Sequence, residues 1–600
     1  MDIESHNDLE SIAKQETSCW LGCYIDENSK MTDNESFFYT IEEFIDRMEK
    51  DSKSARNKAK TRLCKNVCIY IYNLSFEWSF ILPVLLEKGY SFKEVIESGD
   101  EKVFNSVSTK SVSSVWEVTL KAYKNGGRIL LRDLSKLYGG GLGKVAKSFN
   151  LETQKGEIDY RLNRLHGHIV TDEEKEYCFK DTRIIIDILL KMIPDKDFWQ
   201  SISMASYSMR KLIKTGYPRT TKPYTQFRKE YPELSFEENS FLRKGVEGGI
   251  CYAPVQYQFK VIEEKIGHID AHQMHPSSAY LNLFPYGKGE YFIGQPPLNR
   301  ICACRIRISY SDVKLHSIIK LIGLPFIENK EIVVWDFEIP TMKKCYVDLE
   351  VTYIDGYAYK MRPLPWKKYY AENYNRRLEA KKNKDAFLTL YYKLLNNSSY
   401  GKLLEKPHNE IIANYIRPDG IIDSMIELKP EEECRANAKY TYIPVGSCIP
   451  AYSRVSLIEL ALKIGWKKVL YFDTDSIFFI WDNETEAIWN NTPQQDFLGG
   501  WGFEEFIDKA QFVTPKRYKT ETEGILTVKA GGINFKNYLA MIHKDTIGEI
   551  PFDEINIVSN TFKVQRAYRV KGGSIIEFQE KTVSVPSKYQ PIFDANTQDE

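Results

Sequence analysis

The chain has 600 residues, room for about four domains, and no apolar run of membrane-spanning length, which excludes a helical membrane protein. Lysine plus arginine and aspartate plus glutamate both total 82, so the net charge is zero and a uniformly basic nucleic-acid binder is excluded. The balance is local: residues 1–50 hold 13 acidic against 4 basic residues, and residues 360–402 hold 11 basic against 3 acidic.

In chain order, the first candidate strand carries Asp2 and Glu4, two carboxylates at i and i+2 and so on one face of extended backbone. Residues 68–86 read as a β-rich run, then Asn73-Leu74-Ser75-Phe76-Glu77, then an apolar helix-like run. A segment opening at Tyr177 places Asp181 one helical turn on and continues with Ile185, Ile188 and Leu189 as an apolar stripe. The eleven cysteines follow no zinc-ligand rhythm and read as reduced core thiols of a cytosolic protein.

Past residue 195 the composition shifts toward Tyr, Arg and Lys. Gly245-Val246-Glu247-Gly248-Gly249 precedes a strand-like run at 250–261. A short strand then ends at Asp270, and Pro276 stops regular pairing soon after. Residues 366–402 are basic and helical in pattern, with Lys381 in the first half. The second half ends Lys393-Leu394-Leu395-Asn396-Asn397-Ser398-Ser399-Tyr400-Gly401, and Lys393 and Asn397, one turn apart, face the same cleft. The stretch 469–481, VLYFDTDSIFFIW, predicts a β-hairpin with Asp473 and Asp475 converging at its tip. Two close carboxylates repel, and a divalent cation such as Mg²⁺ relieves them. Lys516-Arg517-Tyr518 and residues 527–532 follow.

Tyr471-Phe472-Asp473-Thr474-Asp475-Ser476 resembles motif C of the family-B DNA polymerases. Asp270 and Pro276 resemble motif A, with Gln273, Met274 and His275 departing from its pattern, and the run from Lys393 to Gly401 resembles motif B. Lys516-Arg517-Tyr518 resembles the Lys-x-Tyr element that grips a primer terminus, and 527–532 a neighbouring family segment. Asp2 with Glu4, Glu77, and Tyr177 with Asp181 resemble the three motifs of a proofreading 3′–5′ exonuclease, with Glu77 where the family has aspartate. Gly248 and Gly249 match a template-contacting turn whose tyrosine is Val246 here.

The resemblance implies an α+β multidomain chain: an RNase H-like exonuclease domain, then a right-hand polymerase with palm, fingers and thumb. The expected boundaries are 1–195 exonuclease, 196–281 palm with motif A, 365–403 fingers, 443–535 palm with motif C, and 536–600 thumb. Two insertions, 282–364 and 404–442, and the compact total resemble the protein-primed branch of small bacteriophages and linear plasmids. By that resemblance the first insertion docks a terminal protein and the second closes a ring around DNA for strand displacement. Asp270, Asp473 and Asp475 hold two Mg²⁺, with Mn²⁺ able to substitute. Lys393, Lys381, Asn397, Tyr400 and His275 meet the nucleotide. Gly248, Gly249, Ser398, Gly401, Thr474, Lys516 and Tyr518 meet DNA. Asp2, Glu4 and Asp181, with Glu77, Lys155 and Tyr177, form the exonuclease centre. The implied partners are primer-template DNA, dNTPs and a terminal protein, for a monomer in the host cytoplasm with no membrane attachment. The departures at Val246, His275 and Glu77 leave open a catalytically weakened DNA-binding replication scaffold of the same fold.

Overall fold

The computed structural model describes residues 1–584 except 54, 57–61, 64–65, 109–114, 139, 159–163, 165–166, 407–409, 429–437, 495–496, 532–538 and 540–545. The expected thumb therefore loses 585–600 and part of its start, and Gly532 lies outside the described residues.

The N-terminal third is built on β1 (Asp2–Ser5), which pairs antiparallel with β2 (Cys19–Cys23), Asp2 opposite Cys23. Met1 N donates to Tyr70 O at 3.0 Å, which lays β1 beside the strand Val67–Ile71. That strand edges a five-stranded sheet that continues through Ile129–Asp133, Val115–Lys121, Val103–Ser108 and Ser91–Phe92. Two helices cover this layer. The helix α1 (Leu74–Glu87) buries Leu74, Trp78, Phe80, Ile81, Leu82 and Leu85, the all-round apolar surface of a helix inside a core. The helix α2 (Asp172–Met192) starts at a capping box, Thr171 Oγ1 accepting from Glu174 N and Glu174 Oε2 from Thr171 N. It packs on β1 and β2, with Cys178 beside Trp20, Leu21 and Cys23 of β2, while Ile185 and Ile188 turn to another core with Tyr138, Leu142 and Phe149.

The centre of the chain is an antiparallel sheet of five strands. Its order is Cys251–Tyr252, β4 (Val469–Asp473), β5 (Ser476–Ile480), β3 (Ile266–Ala271) and β6 (Trp501–Ile507). The helix α3 (Met274–Leu281) leaves β3 directly. The hairpin of α4 (Lys367–Lys382) and α5 (Ala386–Ser399) packs over α3. The long helix α6 (Ile443–Ile464) joins the two halves. Its first part, including Ile443, Val445, Cys448 and Ile449, shares a core with α5 and Trp366, and its second, with Leu457, Ile458 and Ala461, shares a core with the sheet.

Two expectations change here. The run 250–261 is not one strand: only Cys251–Tyr252 and Val261–Ile262 are extended, because Pro254 carries no ladder N–H and opens a turn that Tyr257 N closes on Pro254 O at 2.9 Å. Pro276 does not end pairing but lies in the first turn of α3, where its missing N–H has no intrahelical partner to lose.

The expected first insertion is a four-stranded antiparallel sheet ordered Leu283–Ile293, Glu350–Pro363, Ile301–Tyr310, Ile327–Trp335. The expected second is the hairpin Glu410–Ile416 with Ile422–Leu428. Near the C-terminus, Lys509–Thr514, Arg517–Thr522 and Ile525–Ala530 form a sheet with Val261–Ile262. A last hairpin, Ser559–Val570 with Gly573–Ser584, returns to the N-terminal third. Among the described residues no helix is long and apolar enough to cross a membrane.

Candidate active sites

The tip of the β4–β5 hairpin is fixed by three backbone hydrogen bonds. Thr474 N donates to Ile250 O, Asp475 N to Asp473 O, and Ala271 N to Asp475 O, each at 2.8 Å. The last of these ties the tip to the end of β3, where Asp270 pairs with Ser476. Asp270 and Asp475 therefore meet although 205 positions of chain separate them. The route is not the predicted one. Thr474 has φ 71°, so Asp473 and Asp475 flank a left-handed residue rather than alternating along extended backbone. Asp473 turns to Lys516, whose ammonium ion-pairs with its Oδ1, while Asp475 turns to Asp270.

The electrostatics follow from that pairing. Burial, then the Asp475 charge and that of Glu504, push Asp270 up to about 7, against Lys393 and Lys529. Burial also holds Asp475 above the usual carboxylate range, with Asp473 adding to it and Lys516 and Lys393 opposing it. Negative charge is in excess here, and hard carboxylate oxygens on rigid strands suit Mg²⁺ or Mn²⁺. The residues present thus fit the ions expected of them.

The α5 helix closes one side. Lys393 and Asn397 are exposed one turn apart, and the Lys393 charge acts on both Asp270 and Asp475. Tyr400 feels the Asp475 charge, and its ring meets His275 edge-on at 4.9 Å. His275 Nδ1 lies 2.8 Å from Ser453 Oγ, and burial with the Arg454 charge lowers its pKa to about 4, so the ring is neutral at pH 7. Ser398 is half-buried, Gly401 is exposed with open space around it, and Lys381 is exposed in the last turn of α4, at the tip of the helix pair.

Gly248 and Gly249 differ in role. An added Cβ at Gly249 would come within 2.4 Å of Thr474 Cγ2, whereas at Gly248 it would meet nothing within 4 Å. Gly249 thus makes room for the hairpin tip, not only for a phosphate. Tyr518 is 3% exposed and packs on Tyr471 and Phe478, so its ring is a wall of the site. Lys529 stands over its ring at 5.5 Å.

Three residues the sequence reading passed over hold this site together. Arg454 is 2% exposed and donates to Glu247 O at 3.0 Å, Gly248 O at 2.7 Å and Glu338 Oε1 at 2.6 Å, pinning the glycine loop to α6. Asn396, fully buried, donates to Gln273 Oε1 at 2.7 Å and Tyr370 O at 3.0 Å, locking α5 to the turn after Asp270 and to α4. Nothing in the sequence separates it from Asn397 except helical phase. Lys529 faces Asp270, and its position in 527–532 was its signal.

The second centre gathers Asp2 and Glu4 on β1, Glu77 in the first turn of α1, and Asp181 on α2. Burial, then the Asp181 charge, push Asp2 up to about 7, with Lys155 opposing. Burial first, and Asp2 second, also hold Glu4 and Glu77 well above the usual carboxylate range. Lys155 ion-pairs with Asp181 Oδ2, and its ammonium lies 5.3 Å from the centroid of the Tyr177 ring. Glu77 Oε2 and Asp181 Oδ1 are buried with no hydrogen-bond partner among the described residues. Carboxylates so placed, facing one lysine, fit divalent cations as the first centre does. Cys178, which the sequence reading took for an inert core thiol, borders the same acids.

Residues 163–477 match the family described as DNA polymerase type B, organellar and viral. The DNA polymerase of Bacillus phage M2 is 25% identical over 472 residues, 75% of this chain and 77% of that protein. That of Bacillus phage phi29 is 24% identical over 469 residues, with the same coverage. The fold is similar to that of the phi29 DNA polymerase complexed with primer-template DNA and incoming nucleotide substrates, with a TM-score of 0.77 and 21% identity over 97% of this chain and 99% of that one.

Proposed function

The chain belongs to the organellar and viral type B DNA polymerases, and from that premise we propose that it replicates a viral or linear-plasmid DNA by two-metal nucleotidyl transfer, starting from a protein primer. The observation that carries the reading is the meeting of Asp270 and Asp475 beneath Lys393. Asp270 and Asp475 would hold the metal ions, with Asp473 beside them fixing Lys516 at the rim. Two bound divalent ions supply activation of the attacking hydroxyl and neutralisation of charge on the leaving oxygen. Lys393 and Asn397 present a cation and an amide to the triphosphate of an incoming dNTP, where charge spreads during transfer. His275, neutral and braced by Ser453, forms with Tyr400 the floor under sugar and base.

The same reading gives Asp2, Glu4, Glu77 and Asp181 a 3′–5′ exonuclease, with Lys155 near the scissile phosphate and Tyr177 orienting the water. It assigns the sheet within 282–364 to a terminal protein, whose Ser, Thr or Tyr hydroxyl is the first primer. It assigns the hairpin within 404–442 to the DNA. A monomer acting in the host cytoplasm completes it.

The test is Mg²⁺-dependent dNTP incorporation on a primed template. Asp475→Ala should lower the rate on the order of 10³-fold, and activity that survives it would refute the assignment. DNA affinity without incorporation under any divalent metal would instead favour the replication scaffold that the departures at Val246, His275 and Glu77 allow.

A further inference from the structure

Cys178 follows Tyr177 on α2, and its thiol lies at the acids of the second centre. Its Sγ and one carboxylate oxygen each from Asp2 and Glu4 all lie within 4.8 Å of one another. Among the described residues, no other group of three such donors is gathered so closely. The backbone makes this a fixed arrangement: α2 packs on β1 and β2, and Cys178 sits in a small buried cluster with Trp20, Leu21, Cys23 and Phe37. An independent observation points to a ligand. Glu77 is 4% exposed, the Asp2 charge acts on it, and its Oε2 is buried with no hydrogen-bond partner among the described residues. A native interior rarely leaves a carboxylate oxygen in that condition unless something else fills it.

We propose that this centre takes a thiophilic divalent cation of the Zn²⁺ or Co²⁺ class, with Cys178 as a sulfur ligand beside Asp2 and Glu4. Bonds of about 2.3 Å to sulfur and about 2.0–2.2 Å to oxygen place tetrahedral donors roughly 3.5 Å apart. Donors that lie within 4.8 Å of one another reach that by a contraction of at most about 1.3 Å, which a cation drives by replacing repulsion between the acids with attraction. Binding deprotonates the thiol, and the proton passes to solvent. Sulfur adds affinity for a borderline-soft ion and none for Mg²⁺, so Cys178 biases this centre away from the metal that serves Asp270 and Asp475. What the ion does there rests on the exonuclease reading; that it binds there does not.

The reduced, metal-free full chain is titrated with Co²⁺. The expected result is a sulfur-to-cobalt charge-transfer band in the near ultraviolet that Cys178→Ser abolishes and that Cys23→Ser and Asp475→Asn keep. No band in the wild-type chain, or a band that persists in Cys178→Ser, overturns the proposal. If Cys178→Ser does not fold, X-ray absorption of the zinc-loaded wild-type chain decides: a sulfur scatterer at about 2.3 Å beside oxygens supports it, and a shell without sulfur overturns it. A parallel assay follows degradation of 3′-ended single-stranded DNA. Degradation with Mg²⁺ but no cobalt–sulfur band leaves the exonuclease standing and removes the proposal. The band without degradation under any divalent metal supports the proposal and removes the exonuclease.

Discussion

A carboxyl group buried beside another acid binds its proton more tightly in the folded chain than in the unfolded one. For Asp270, pushed up to about 7 from an ordinary 3.8, the sign is fixed. Its contribution to stability is full below the unfolded value and is lost as the pH rises through about 7. In the presence of a chelator, Asp270→Asn should therefore leave the melting temperature unchanged near pH 4, where wild-type Asp270 is protonated, and raise it progressively toward pH 8. Mg²⁺ should erase that advantage above pH 7, because it stabilises only the wild-type acid pair. Thermal melts of both chains across this range check it, and a gap that is constant with pH would contradict it. At this scale the sequence was readable where residues fall into motifs. Asp270, Lys393, Asp473 and Asp475 were named because they resemble motifs A, B and C in that order. Arg454 and Asn396 were not, because an arginine or asparagine inside a helix looks the same whether it faces solvent or a buried carbonyl. The burial of the Tyr518 ring was hidden for a related reason: an aromatic beside a lysine does not say which of the two is covered.

Elements were more legible than the joints between them. The β4–β5 hairpin was plain from aromatic and β-branched residues on either side of a polar tip. Its tip geometry was not, since a β-branched residue at φ 71° is the last residue a pattern would place there. That strain, on the order of 1–3 kcal/mol, is held by Thr474 N on Ile250 O and by the room that Gly249 leaves. Gly249→Ala should drive its Cβ into Thr474 and shift Asp475 away from Asp270, a displacement that costs about 10²-fold in transfer rate if it reaches 1 Å. Exonuclease activity, built on other elements, should not change. Thr474→Gly removes both the methyl and the left-handed penalty, so the double substitution Gly249→Ala with Thr474→Gly should recover most of the loss. Primer-extension rates for the four chains test this; a double variant no better than Gly249→Ala would mean that the glycine serves DNA and not the hairpin. The strand-like run at 250–261 failed at the same kind of joint, where Pro254 interrupts a pattern that residue content alone supports.

At the scale of the whole molecule the two ends of the chain meet, and no local pattern predicts that. The C-terminal hairpin joins the N-terminal third through Thr17 N on Lys571 O at 3.0 Å, Lys571 N on Gln15 O at 3.2 Å and Asn7 Nδ2 on Ile576 O at 2.8 Å. An ion pair between Lys571 and Glu16 lies outside them at 3.2 Å. The hairpin Glu410–Ile416/Ile422–Leu428 reaches the same place: an added Cβ at Gly420 would lie 3.1 Å from Lys571 Cγ, and the Asp423 charge acts on Arg569. Three separated parts of the chain therefore close on one another at Lys571. On the proposed reading this closure encircles DNA, and packing adds to its hydrogen bonds: Gly573 lies against the Phe80 ring of α1, and Ile575 is fully buried. An exposed ion pair contributes roughly 0–1 kcal/mol and is screened by salt, so backbone contacts and this packing carry most of the closure. Replacing 417–421, the tip of the second-insertion hairpin, with a two-residue turn should leave incorporation of a single nucleotide unchanged, because Asp270, Asp475 and Lys393 stand on other elements. It should shorten the product made per binding event and reduce synthesis through a downstream duplex, the more so as salt rises. Product-length distributions under a trap that captures released enzyme measure the first effect, and extension on a forked template the second. Loss of single-nucleotide incorporation in the same variant would show instead that the hairpin supports the active site, and normal lengths at every salt concentration would show that the closure does not hold DNA.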